Sequence, residues 1–189
     1  MKIHKSPLIG LLLIEPDRFS DHRGFFAETY SRRVYAALGI DLEFVQDNHS
    51  LSAAVGTLRG LHFQAPPHAQ AKLVRCGRGA IFDVVVDIRC GSPTYGEWAG
   101  YELSAANGAQ LYVPTGFAHG FVTLEPDSEI IYKCSDYYAP VSEGTLRWDD
   151  SDIGIHWPLK GDAILSSKDA IAPLLRDLDS PFHFEEGCQ

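Results

Sequence analysis

The sequence has few cysteines, no long apolar run and no excess of basic charge, and each absence excludes a class of protein. Its four cysteines, Cys76, Cys90, Cys134 and Cys188, form no C-x-x-C pair, so neither a zinc cluster nor a disulfide framework is indicated. We expect reduced thiols and a cytoplasmic protein. No apolar stretch approaches the roughly 20 residues of a membrane-spanning helix. The formal net charge of −9 argues against nucleic-acid and anionic-membrane partners.

The rest of the composition is that of an ordinary globular chain. Apolar residues make up 45 % of the 189 residues and charged residues 22 %. A chain of this length buries roughly 70 % of its unfolded surface around one core. No repeat or linker divides it, so we predict a single domain over residues 1–189. The apolar run 8–14 is followed by charged residues and no small-residue cleavage site, and we interpret it as a strand rather than a signal peptide.

Short apolar or alternating runs, bounded by Gly, Pro, Asn and Asp, recur along the chain and predict an all-β fold. In the run 80–89 alternate residues lie on opposite faces, and we expect one of the two faces to be core. Two short helices are predicted, one capped by Ser31 and ending at Gly39, the other capped by Ser166. The predicted strands are 8–14, 25–30, 44–46, 57–64, 72–76, 80–89, 97–103, 110–113, 120–124 and 129–134.

A glycine, proline and histidine spacing resembles one of the two motifs of the cupin jelly roll. Gly108 is followed, after five residues, by Pro114, then by Gly116 and His119. In cupins this pattern turns the chain so that a strand-edge histidine points into a small barrel, whose mouth holds the ligand. The pattern therefore predicts a cupin jelly roll, a double-stranded β-helix, with a few short helices.

The other cupin motif, which normally supplies two histidines and a glutamate to a metal, is broken. It reads His62-Phe63-Gln64, with an amide in place of the second histidine and no glutamate at the usual distance. His68 could substitute as a ligand, but it lies beyond Pro66-Pro67 in a predicted loop. The donor set does not complete a metal site, so we expect no metal.

If the histidine is not a ligand, acid–base chemistry is the alternative, because imidazole titrates near neutrality. A lone histidine on a strand is more often a satisfied core residue, but polar groups are dense on the strands around His62. Strict alternation places Arg59 on the opposite face of its strand, and a bulge at Gly60 would bring it to the same pocket. Tyr132 taken alone fits a core tyrosine, and Asp169 taken alone fits a helix capping box with Ser166.

Taken together, these motifs resemble the dTDP-4-dehydrorhamnose 3,5-epimerase family over residues 5–178. Several motifs in the same order make chance agreement improbable. The motifs that carry the resemblance are Arg23-Gly24-Phe25-Phe26 with Glu28, Gln46-Asp47-Asn48-His49-Ser50, residues 58–64, Lys72 with residues 73–76, residues 114–121 around His119, Tyr132-Lys133, Tyr137-Tyr138 and Ser167-Lys168-Asp169.

The resemblance implies roles for individual residues. His62 would be the general base, oriented by Asp169, Tyr132 the general acid on the opposite face of the sugar, and Lys72 would lie near the keto oxygen. Tyr138 would stack on the thymine. The other nucleotide-sugar contacts would come from Arg23, Glu28, Gln46, Asp47, Asn48, Arg59, His119, Glu143 and Lys168, with Arg23 and Glu28 acting across a homodimer interface.

The implied reaction inverts carbons 3 and 5 of dTDP-4-dehydro-6-deoxy-D-glucose, a dTDP-4-keto-6-deoxyhexose, to give dTDP-4-dehydro-L-rhamnose without a cofactor. Both hydrogens are α to the same carbonyl, so one base removes either and leaves an enolate. Two alternatives stay open at this point: a relative that inverts only carbon 3 or only carbon 5, and a sugar-binding cupin without catalysis. Fold alone does not separate them.

Overall fold

The computed structural model describes residues 1–185, and they form a β-rich fold with little helix. Two α-helices, α1 (Arg32–Ala36) and α2 (Ser167–Ala170), and two single-turn 3-10 helices (Pro140–Ser142 and Leu175–Asp177) are present. The strands are β1 (Lys2–Lys5), β2 (Leu12–Glu15), β3 (Phe19–Asp21), β4 (Gly24–Phe26), β5 (Gln46–Ser52), β6 (Leu58–Gln64), β7 (Lys72–Arg78), β8 (Ala80–Asp87), β9 (Trp98–Ser104), β10 (Gln110–Val113), β11 (Phe117–Thr123), β12 (Ser128–Cys134) and β13 (Glu143–Thr145).

Two antiparallel sheets pack face to face. One has the strand order β1-β2-β10-β7-β12-β5 and the other β13-β6-β11-β8-β9, and the hairpin β3-β4 stands apart from both. The core between them is apolar, with Val74, Leu111 and Ile130 from the first sheet against Val85 and Phe121 from the second. Burial of this surface is the main stabilising term for the fold. The predicted cupin jelly roll is confirmed.

The expectation that β8 has one core face is wrong, because both faces are buried. Val84 and Val86 pack beneath the C-terminal segment, where Phe182 belongs to the same cluster. The other face carries two fully buried carboxylates, Asp83 and Asp87. Buried carboxylates are tolerated only with partners. Asp83 contacts a histidine, and Asp87 accepts hydrogen bonds from an arginine, a serine and a threonine.

Most predicted strands are confirmed, with shifted ends. Strand 110–113 is exact, and 57–64 and 72–76 lie on β6 and β7. The run 8–14 becomes a strand only at Leu12, because Gly10 adopts a φ of +94° and turns the chain. The run 44–46 ends where β5 begins, and β1, β3 and β13 were not predicted.

The structure also shows a turn at residues 107–108, one of the two predicted helix caps, and free thiols. Between β9 and β10, which belong to different sheets, Gly108 has a φ of +63° and the amide of Asn107 bonds the backbone of the turn. Ser166 accepts a hydrogen bond from the backbone N–H of Asp169 and begins α2, whereas Ser31 begins α1 without a side-chain cap. Free thiols are found at Cys76, Cys90 and Cys134, and Cys188 lies outside the described residues. No helix within residues 1–185 has the length and apolar character needed to cross a membrane.

Candidate active site

A bulge in β6 brings two of the predicted site residues to one face. His62 pairs with His119 of β11, but Arg59 pairs with Phe121, so one extra residue is accommodated on β6. Gly60 makes this possible with a φ of +135°, and a Cβ there would lie 2.6 Å from a backbone carbon of β11. Only glycine fits such a conformation at such a close approach. The predicted bulge is confirmed, and Arg59 and His62 line the same cavity.

That cavity, of about 440 Å³, lies between the facing walls of the two sheets and is closed at one side by residues 164–169. A second cavity of about 370 Å³ adjoins it. Three residues, His62, Lys72 and Tyr132, line both. The two cavities therefore form one site with these three side chains at the junction. The first cavity is also lined by Ser50, Thr57, Leu58, Arg59, His119, Phe121, Ile130, Lys168 and Asp169.

His62 is held by a carboxylate from another part of the chain. Its Nε2 lies 2.6 Å from Oδ1 of Asp169, whose side chain is only 3 % exposed. Asp169 is fixed by its place in α2, where Ser166 caps the helix. Burial lowers the pKa of His62, while Asp169 acts in the opposite direction. The imidazole is thus kept neutral and oriented near neutral pH, as a general base must be.

Tyr132 and Lys72 reach the junction from the opposite wall. His62 belongs to the five-stranded sheet, whereas Tyr132 on β12 and Lys72 on β7 belong to the six-stranded sheet. Burial raises the pKa of the Tyr132 hydroxyl and lowers the pKa of the Lys72 ammonium. A ligand at the junction therefore has a base on one side, and a protonated hydroxyl and the Lys72 side chain on the other.

A second histidine–carboxylate pair lies beside the first. Nε2 of His119 lies 2.9 and 3.0 Å from the two carboxylate oxygens of Asp83, and both residues are buried. Arg59 is anchored by hydrogen bonds from its guanidinium to Ser52 Oγ and the carbonyl of Leu51. These contacts fix two nitrogen-rich side chains on the wall of the first cavity, where they can meet an anionic ligand.

Gln46, Asn48, Tyr138 and Glu143 line the second cavity. The Tyr138 hydroxyl lies 3.3 Å from Glu143, and the ammonium of Lys168 forms an ion pair with the same carboxylate. This pair lowers the pKa of Glu143 against the opposing effect of burial. Together with the previous residues, the structure brings eleven predicted site residues to one site.

Asp47 is not brought to the site, and its prediction as a contact of the cavity is corrected. On β5 the residues 46, 48 and 50 are partly buried, whereas 47, 49 and 51 are exposed. Because side chains alternate along a strand, Asp47 points to the outer face. There its carboxylate forms an ion pair with Lys133 at 2.9 Å.

Arg23 and Glu28 also lie outside the two cavities of the candidate site. Arg23 follows β3 in its hairpin, is exposed and forms an ion pair with Asp21. Glu28 is exposed just after the hairpin. The β3-β4 hairpin also exposes Phe19, Phe25 and Phe26, and more than half of each side chain is accessible.

Among residues 1–185 no group of three or more His, Cys, Asp or Glu side chains is arranged to hold a metal ion. Gln64 stands where metal-binding cupins place a second histidine, and its amide bonds only backbone groups. His68, the substitute considered from the sequence, pairs with Asp136 at 3.2 Å.

The comparisons with known proteins agree with this geometry. Residues 5–177 match the dTDP-4-dehydrorhamnose 3,5-epimerase family. The protein of that name from Sinorhizobium fredii is 52 % identical over 172 residues, which cover 91 % of this chain and 88 % of that protein. A solved dTDP-6-deoxy-D-glucose-3,5-epimerase from Legionella pneumophila, in complex with dTDP-4-keto-L-rhamnose, aligns with a TM-score of 0.94 at 44 % identity and covers 97 % of this chain and 98 % of that one.

The chain belongs to the dTDP-4-dehydrorhamnose 3,5-epimerase family. It is an isomerase acting on carbohydrates, in dTDP-rhamnose biosynthesis. A 3′-monoepimerase from Streptomyces bikiniensis, solved in complex with dTDP-quinovose, shares the fold with a TM-score of 0.87 but is 38 % identical and covers 92 % of this chain and 87 % of that one. The resemblance found in the motifs is confirmed.

Asp83 and Gln64 are polar residues of this epimerase that were not predicted as part of the site. Asp83 holds His119, and Gln64 lines the second cavity. A carboxylate on the strand 80–89, otherwise rich in valine, was a usable signal, because buried carboxylates need partners. Nothing in the sequence alone showed which groups the Gln64 amide would meet, since these come from two separate loops.

Proposed function

We propose that this chain inverts carbons 3 and 5 of dTDP-4-dehydro-6-deoxy-D-glucose through an enolate, with His62 as the base and Tyr132 as the acid. The observation that supports this proposal is the placement of the two groups on opposite walls of one cavity. Inversion requires a proton to leave from one face of the sugar and return to the other. A base and an acid on facing sheets meet that requirement.

Lys72 has a separate task in this proposal. When either α hydrogen leaves as a proton, the electron pair of the C–H bond is delocalised onto the keto oxygen at carbon 4. A cation held at that oxygen stabilises charge that appears only in the transition state, which is worth roughly 3 to 4 kcal/mol per good donor. Lys72 lines the junction beside His62 and takes part in none of the site's ion pairs within residues 1–185, which join other residues.

The nucleotide occupies the outer parts of the site. Arg59, His119 and Lys168 carry the nitrogen donors suited to a diphosphate, and Tyr138, with 55 % of its surface exposed, offers an aromatic face to the base. In the free enzyme Lys168 pairs with Glu143. Diphosphate oxygens then compete with Glu143 for the Lys168 ammonium.

We further propose a homodimer in which Arg23 and Glu28 serve the site of the other protomer. The support is the arm they occupy, a hairpin that exposes three phenylalanines and belongs to neither sheet. Exposed aromatic patches of this kind mark protein interfaces. Light scattering should give about twice the chain mass of 20.9 kDa.

The active unit in this proposal is one cytoplasmic domain over residues 1–189 that needs no metal or cofactor. The support is chemical. An α-carbonyl proton transfer changes no oxidation state, and a lysine replaces a Lewis acid at the oxygen. Activity should survive exhaustive treatment with a chelator, and loss of activity restored by one divalent metal would contradict the proposal.

The experiment that tests the function is incubation with dTDP-4-dehydro-6-deoxy-D-glucose in D₂O, followed by NMR of the product. Inversion and deuterium at both carbons 3 and 5 support the proposal. Inversion at one carbon alone identifies a mono-epimerase, as in the Streptomyces relative. Binding without exchange or inversion identifies a sugar-binding protein without catalysis.

A further inference from the structure

Gln64 is a buried side chain whose role the reaction does not explain. It is only 4 % exposed, lies on β6 two residues beyond His62 and lines the second cavity. It stands where cupins that bind a metal have their second histidine, but it is an amide. An amide offers two N–H donors and one carbonyl acceptor in one plane, and no ionised side chain offers both.

Both N–H donors and the carbonyl oxygen of this amide bond to backbone groups. Nε2 donates to the carbonyl of His68, in the loop between β6 and β7. It also donates to the carbonyl of Tyr137 at 3.0 Å, and Oε1 accepts from the N–H of Ala139 at 2.9 Å. The side chain therefore joins two loops that border the cavity.

The bonds to the second loop lie immediately before and after Tyr138. The carbonyl of Tyr137 and the N–H of Ala139 flank that residue, and both are bound by Gln64. The N–H of Tyr138 itself donates to Oε1 of Gln46 at 3.0 Å. The backbone on both sides of this tyrosine is thus fixed, although more than half of its side chain is exposed.

The geometry points to Gln64 as the residue that positions Tyr138 for stacking on the nucleotide base. This inference rests on the proposed function, in which Tyr138 meets the base. A loop tyrosine that is free to move loses entropy when it stacks, whereas one held in place beforehand loses little. Gln64 contributes to nucleotide affinity through Tyr138 and takes no part in proton transfer.

The test is a double-mutant cycle of Gln64→Leu and Tyr138→Ala, read as the Kd for dTDP. Base stacking on an aromatic side chain makes about a tenfold loss the expected result for Tyr138→Ala. Gln64→Leu should lose a large part of that affinity, and the double variant should lose no more than Tyr138→Ala alone. The Ki of inorganic pyrophosphate, which has no base, should stay within about twofold in all three variants, and the change in Gln64→Leu should appear in KM far more than in kcat.

Asn107→Ala is the matched control. The Asn107 amide also makes three hydrogen bonds to backbone groups, at a turn that borders neither cavity, so its loss should leave the Kd for dTDP unchanged. If Gln64→Leu does not fold, Gln64→Glu replaces it, because it keeps the shape but sets an oxygen against the carbonyls of His68 and Tyr137.

Each outcome has one meaning. Additive losses in the cycle, an equal loss of pyrophosphate binding, or an unchanged Kd for dTDP in the Gln64 variants would overturn the inference while leaving the stacking role of Tyr138 intact. An unchanged Kd in Tyr138→Ala would instead overturn the stacking itself, and the inference with it.

Discussion

At the scale of single residues, the pKa of one imidazole sets the pH range of the reaction. Burial holds the pKa of His62 below its ordinary value of 6.5, and the hydrogen bond and charge of Asp169 oppose that effect. The base must be neutral, so activity is lost as the pH falls through the pKa of His62. The Asp169 carboxylate therefore influences both the strength and the orientation of the base.

Asp169→Asn should shift the acid limb of the kcat–pH profile to lower pH. Removal of the carboxylate removes the effect that raises the pKa of His62, so the pKa falls further. The kcat at the optimum should drop by about 10²-fold, because a weaker and poorly oriented base remains. Asp83→Asn, the same change in the other pair, should leave the acid limb in place. An acid limb that moves to higher pH in Asp169→Asn would contradict this assignment.

At the scale of single elements, the bulge in β6 aligns Arg59 with His62, and it depends on Gly60. Gly60→Ala should lower the free energy of unfolding by about 3 kcal/mol or more. Alanine disfavours the positive φ at this position, and its Cβ would lie 2.6 Å from a backbone carbon of β11. Activity should fall as well, because the register of His62 changes. Urea denaturation and turnover measure the two effects.

Gly39→Ala separates backbone conformation from crowding. Gly39 also has a positive φ, +87°, but a Cβ there would meet nothing within 4 Å. Gly39→Ala should lower the free energy of unfolding by about 1 kcal/mol and leave turnover unchanged. Equal costs for the two variants would show that the close approach of β6 and β11 does not constrain the bulge.

The strands that were predictable from the sequence are those that contain a run of apolar side chains. Strand β10 was exact, but β5 was misplaced onto the apolar residues Phe44 and Val45. The actual strand, Gln46–Ser52, is largely polar on both faces, because one face meets the ligand cavity and the other meets solvent. Hydrophobic periodicity carries no signal in such a strand. Strands β13 and β3 have three residues each and are too short to show a period.

Most site residues were predictable from motifs. Positions that depend on strand alternation or on the register between strands were not. His62, Tyr132 and Asp169 were assigned from a resemblance, and the structure places all three at one cavity. Asp47 was assigned from the same resemblance, but strand alternation turns it outward. Asp83 was missed because its partner, His119, lies on another strand and only the sheet register brings the two together.

At the scale of the whole molecule, the proposed dimer predicts that two inactive variants regain activity when they are mixed, which a monomer would not show. Arg23→Ala and His62→Ala should each be nearly inactive alone. Mixed at equal amounts and allowed to exchange subunits, they should regain roughly a quarter of wild-type activity, because half of the dimers are mixed and one of their two sites is complete. If Arg23 serves its own chain, no mixed site is complete, and the mixture stays inactive.

The central claim is that proton removal and proton return occur from opposite walls of one cavity, and Tyr132→Phe tests it most directly. With His62 and Lys72 intact, the enolate should still form and be reprotonated from its original face. In D₂O the variant should incorporate deuterium into unepimerised substrate, while epimerised product falls by about 10²-fold or more. Tyr112→Phe, a tyrosine outside the site, should keep both exchange and inversion. If Tyr132→Phe loses exchange and inversion in equal proportion, or keeps both, the opposite-wall account is wrong.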